Sequence, residues 1–169
     1  MSVLDLQAFA ASMKVAPLSE ALDTLLQMGM PLPAPLFGDV TPLPENLSDL
    51  AVDDYGLHLS QWSQLTSYAW AQHAAACVVR DSTQDDYDEA YSKALARFAG
   101  SSTASVTAQK SKAEADPSVL AAKRHLRKAE ALVELLAKLA SGYDRNYQAV
   151  SRQVTVMEAE ARLTGNRRS

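Results

Sequence analysis

Pro117–Ala161, PSVLAAKRHLRKAEALVELLAKLASGYDRNYQAVSRQVTVMEAEA, carries one repeat from end to end. With Val119 as position a of a heptad, the a and d positions are Val119, Ala122, Leu126, Ala129, Val133, Leu136, Ala140, Tyr143, Tyr147, Val150, Val154, Met157 and Ala161. None of these residues is charged, and the steps alternate between three and four throughout, which is the period of a helix that buries one stripe along its whole length. At 1.5 Å per residue such a helix is roughly 65 Å long. Leu132 and Leu139 fall at position g and Leu135 at position c. The stripe is therefore wider in its middle than a two-stranded coil needs, and packing against more than one helix is expected there.

Upstream, Asp116-Pro117 supplies a capping side chain and a proline suited to the first helical position, so a helix starts or kinks at this point. A further helical piece carries Lys110, Lys112 and Glu114, and Gly100–Ser105, GSSTAS, is the clearest chain reversal. From Asp53 a helical pattern runs through Trp62, Leu65, Ala69, Ala76 and Val79; Tyr87, Tyr91, Ala94, Leu95 and Phe98 then resume the same face. The polar cluster Asp81–Asp86 between them reads as a break or as a solvated turn of one helix. Two long helices joined by a short connection form an antiparallel hairpin, in which each covers the stripe of the other.

The first 52 residues are of different character. Residues 1–28 show two short helical clusters separated by Pro17, Val3 to Phe9 and Leu18 to Leu26. Gly29–Pro44, GMPLPAPLFGDVTPLP, holds five prolines, which bars a helix and favours extended chain. It reads as a linker, or as an arm whose Leu32, Leu36, Phe37 and Leu43 clasp a neighbouring surface. The expected organisation is an acidic helical segment over 1–28, a proline-rich arm or linker over 29–52 and a helical hairpin over 53–169. The expected fold class is all-α, coiled-coil-like, with no sheet.

Composition removes several functions. One cysteine builds neither a disulfide framework nor a multi-cysteine zinc module. Asp85, Asp86, Asp88 and Glu89 lack the Glu-x-x-His companion of a helical-bundle metal site, and His58, His73 and His125 lie far apart. Neither GxGxxG nor GxxxxGK occurs, no serine sits in a nucleophile elbow, and Cys77 among alanines reads as a small core residue. No catalytic residue, metal or cofactor is expected. With no run of about 18 apolar residues and no basic region leading into a long apolar stretch, the expectation is a chain free of the membrane, located in the cytoplasm.

Charge is distributed unevenly. Residues 1–60 hold one base against eight acids, and residues 110–169 hold twelve bases against seven, although the whole chain is only −4. In the heptad frame Arg124, Lys138, Arg145 and Arg152 all occupy position f, opposite the seam, and Arg127 and Lys128 flank them at b and c. Bases recurring about every 10.5 Å along one helix suit a nucleic-acid backbone held through its phosphates, a sequence-independent and salt-sensitive mode. The competing reading is a solvated face that keeps the helix soluble, partly through pairs such as Glu134 with Lys138.

Four features, taken in order, look like the arrangement of one known group. They are the helix bearing Trp62-Ser-Gln-Leu-Thr-Ser-Tyr68, the acidic segment with Tyr87 and Tyr91, the lysine-rich piece ending in Asp116-Pro117, and the long helix with Tyr143-x3-Tyr147-x2-Val150-Ser151-Arg152. Over roughly residues 53–160 their order resembles the phage recombination mediators of the UvsY type; the likeness is architectural and rests on no diagnostic motif. The resemblance implies a homo-oligomer that binds single-stranded DNA, with a recombinase or a single-strand-binding protein as further partner. The proline-rich arm and acidic amino terminus depart from that group. Besides a DNA-binding accessory protein, the same helices suit a structural adaptor that contacts only other polypeptides.

Overall fold

A computed structural model describes residues 40–99 and 105–166, together with Asp23 and Gln27, which are helical and exposed. Apart from those two positions, the expected helices of residues 1–28 lie outside the described residues, as do the arm over 29–39 and residues 100–104 of the reversal. Among the described residues there is no strand. The chain runs through a 3-10 turn at Leu47–Asp49, then α1 (Asp54–Ala99), α2 (Val106–Glu114) and α3 (Pro117–Asn166). The all-α hairpin expected from the heptads is the observed fold, with α1 and α3 packed against each other.

The hairpin comprises two compact units. In the first, residues 72–99 of α1 meet α2 and residues 117–135 of α3. Its core sets Ala94 of α1 against Ala113 of α2 and Val119 of α3, with Tyr87, Ala90, Tyr91, Leu95 and Phe98 packed around them. Small residues at the contact let the helix axes approach closely, and the aromatic rings fill the margins. Tyr87 and Tyr91, one turn apart, stack with centroids 6.3 Å apart.

The second unit pairs residues 40–71 with residues 136–166. Tyr55 and Trp62 of α1 close over Val150 of α3, and Trp62 meets Tyr143 at a tilted ring distance of 5.9 Å, a favoured aromatic geometry. Val40, Leu43, Leu47 and Leu50 lie on the same core, and the Tyr55 hydroxyl donates to the Leu47 carbonyl at 2.6 Å. The described end of the proline-rich arm is thus a strap on its own chain rather than a free linker. Asn46 caps the 3-10 turn by accepting from the Ser48 amide at 3.3 Å.

Helix α1 does not break at Asp81–Asp86. Its buried or half-buried positions Val79, Thr83, Tyr87, Ala90 and Ala94 follow steps of four, four, three and four. The extra residue shifts the stripe without unwinding the helix, as an eleven-residue repeat does. Thr83, buried in the stripe, donates its hydroxyl to the Arg80 carbonyl at 2.9 Å. The polar residues support the helix from outside: Gln84 donates to Asp88 at 3.0 Å, and Lys93 pairs with Glu89 four residues earlier.

On α3 the seam follows the heptads closely. Val119, Leu126, Ala129, Leu136, Ala140 and Val150 are buried, whereas Tyr147 and Ala161 are exposed. The expected second helix over the widened middle is not found among the described residues: Leu135 is 58% exposed and Leu139 39%.

Gly142 sits inside α3 with open space where a Cβ would lie. Alanine there restricts the unfolded chain without a clash, so Gly142→Ala should stabilise the protein by about 0.5–1 kcal/mol in urea unfolding. Destabilisation would show a backbone or partner requirement at that position.

Candidate nucleic-acid interface

The site is positioned by the joint that starts α3. The Asp116 carbonyl accepts the Leu120 amide at 2.9 Å, and its carboxylate accepts the Ser118 amide at 2.9 Å and the Ser118 hydroxyl at 2.6 Å. Arg97, in the last turn of α1, donates to the other carboxylate oxygen at 2.9 Å. Asp116 therefore does two jobs, capping α3 and tying it to α1 within the first unit. Pro117 follows as the first helical residue, where its missing N–H costs nothing. The hydrogen bonds from Ser118, and after them the Arg97 charge, hold the Asp116 carboxyl below its ordinary value. From this joint α3 runs unbroken for 50 residues, which fixes the azimuth of every side chain on it.

The six sequence-predicted bases all point to solvent. Arg124, Arg127 and Lys128 belong to the first unit, and Lys138, Arg145 and Arg152 to the second. Among the described residues no carboxylate forms an ion pair with Arg124, Arg127, Lys128, Arg145 or Arg152. Of the acids of the helix, Glu130, Asp144 and Glu158 stand at position e beside the seam and Glu160 at g, whereas Glu134 at b lies one turn before Lys138. Arg145 is exposed, with Nε donating to the Ser141 carbonyl at 3.3 Å.

The surroundings of the two sets differ. In the second unit Ser141, Gln148 and Thr155 lie beside Arg145 and Arg152 on the outer face, together with exposed Val156, and Lys138 lies between exposed Leu135 and Leu139. In the first unit the bases alternate with exposed Leu120, Ala121, Ala131 and Leu135.

Of the aromatics, Trp62 is buried and Tyr68 half-buried, whereas Trp70 is 44% exposed. Tyr147, expected in the seam, lies at its exposed edge. The α1 seam holds residues that apolar periodicity does not count: Tyr55 and Thr83, each spending its hydroxyl on a backbone carbonyl, and His58, buried one turn before Trp62. Cys77 is half-buried, with Sγ 3.9 Å from Nε2 of His73. Among the described residues no three His, Cys, Asp or Glu side chains converge, and no helix is long and apolar enough to cross a membrane.

Comparison with protein-family models, with curated proteins and with solved structures finds no match to this chain.

The depressed Asp116 carboxyl stabilises the fold above the ordinary carboxylate range, and that contribution is lost as pH falls through the folded-state value. Asp116→Asn should lower the melting temperature at pH about 7, and the gap to the unaltered protein should narrow progressively as pH falls through and below the ordinary carboxylate range, where the carboxyl takes up its proton. Thermal unfolding followed by circular dichroism reads this. A gap independent of pH would remove the charge from the joint.

Proposed function

We propose that the protein is a non-catalytic accessory factor that self-associates and holds single-stranded DNA through its phosphates, in the manner of a recombination or replication mediator. The observation that carries this reading is that Arg124, Arg127, Lys128, Arg145 and Arg152 of α3 are exposed and, among the described residues, have no carboxylate partner. Unpaired arginines in water keep their full attraction for a polyanion, whereas bases placed only for solubility are commonly interleaved with acids. Lys138, Arg145 and Arg152, exposed on the outer face of the second unit, are assigned the phosphate contacts. Arg124, Arg127 and Lys128 add positive potential on the first. Binding of this kind is independent of base sequence and needs no metal or cofactor. A recombinase or a single-strand-binding protein is the protein partner that such a mediator serves, and its place of action is the cytoplasm, that of a host cell if the chain is viral.

The test is fluorescence anisotropy of a labelled single-stranded oligonucleotide across a salt series. Affinity should fall steeply with salt. Changing Lys138, Arg145 and Arg152 together to glutamine should reduce the log–log slope by about 2, at about 0.7 per lost contact, with helicity unchanged. An unchanged slope would reduce the three to a solvated face. No binding at about 50 mM salt would turn the reading to an adaptor that contacts only polypeptides.

A further inference from the structure

The first unit exposes a surface that phosphate binding does not explain. Leu120 is 41% exposed and Leu135 58%, and between them lie exposed Ala121, Arg124, Arg127, Lys128 and Ala131 on the outer side of α3. Two uncovered leucines bracketing three bases oppose hydration of the face and suit a protein surface that is apolar at its margins and acidic in the centre. The same unit carries such a surface on α1. Asp81, Asp85 and Asp88 are exposed at spacings of four and three, beside Asp86 and Glu89. Ala74 and Ala96 lie exposed on either side of the acids.

We propose that the outer face of α3 in one copy docks on the acidic outer face of α1 in a second copy, with Arg124 against Asp85. This deepens, and rests on, the self-association in the reading above. The register follows from helix spacing. With Arg124 opposite Asp85, antiparallel helices bring Lys128 to Asp81 and Leu135 to Ala74. Parallel helices bring Arg127 to Asp88 and Leu135 to Ala96. In either direction Leu135 meets a small apolar residue and a second charge pair forms, while Leu120 lies at the edge opposite Glu89 or Asp81. The present partners of the acids yield readily: Asp81 is held at 2.7 Å by Arg80 and Asp88 by Gln84, both at the exposed surface, where such contacts contribute little. The contact closes a two-fold pair where both faces engage reciprocally, and otherwise joins copies into a ring or a row. It also divides the bases of α3, those of the first unit serving assembly and those of the second serving phosphates.

Charge exchange tests the contact, read by sedimentation velocity at about 20 μM protein in DNA-free buffer, so that failure of DNA binding leaves the result untouched. The unaltered protein should self-associate. Arg124→Glu and Asp85→Arg should each weaken association about tenfold or more, while helicity is retained. The double variant, or an equimolar mixture of the two single variants, should restore it. A monomeric unaltered protein, single variants that associate normally, or a double variant as weak as the single ones would each overturn the proposal.

Discussion

Everything in this structure depends on burying an uncharged stripe that runs the length of α3. A single helix of 50 residues cannot hide such a stripe, and water penalises its exposure by about 25 cal/mol per Å². The chain's answer is a second helix of almost equal length, α1, at 46 residues. In the first unit the cover is built from alanines and flanking tyrosines, in the second from large aromatics and a strap of preceding chain. The difference follows from what each end must do. The first end joins the helices through α2, so the backbones are drawn close; the second also receives residues 40–50, so larger side chains fill the space.

Three polar residues enter this scheme with their polar groups bonded. Asp116 is buried because it caps α3 and receives Arg97, two uses for one carboxylate. Thr83 and Tyr55 sit in the core with their hydroxyls on backbone carbonyls. The remaining charge is displaced outward, acids toward the outer side of α1 and bases toward that of α3. Within the first unit this sets the acids Asp81, Asp85 and Asp88 of α1 and the bases Arg124, Arg127 and Lys128 of α3 at the surface, and the proposed functions grow from exposed charge rather than from a pocket.

The sequence disclosed the long helix most clearly, because its heptads contain no competing charge and a proline and an aspartate mark its start. The α1 stripe was harder to read. His58 and Thr83 occupy buried positions in it, and a four-residue step at Thr83 shifts the repeat, so apolar spacing alone left Asp81–Asp86 open between a break and a turn. The strap was hidden for another reason: prolines report that a segment is extended but not where it lies. Leu135 and Leu139 pulled the other way, since hydrophobicity placed them under a further helix that the described residues do not supply. For the candidate interface, the f-position bases were legible from spacing alone, whereas the apolar setting of Arg124, Arg127 and Lys128 emerged only with side-chain exposure.

The central claim is that the heptad seam of α3 is the load on which the fold stands. Leu135 and Leu136 are adjacent and chemically identical, yet Leu136 is 7% exposed and Leu135 58%. The most direct measurement compares Leu136→Ala with Leu135→Ala in urea unfolding at low protein concentration. The seam predicts a loss of about 2–5 kcal/mol for Leu136→Ala and about 0.5 kcal/mol or less for Leu135→Ala. Equal losses, or the reverse order, would contradict it.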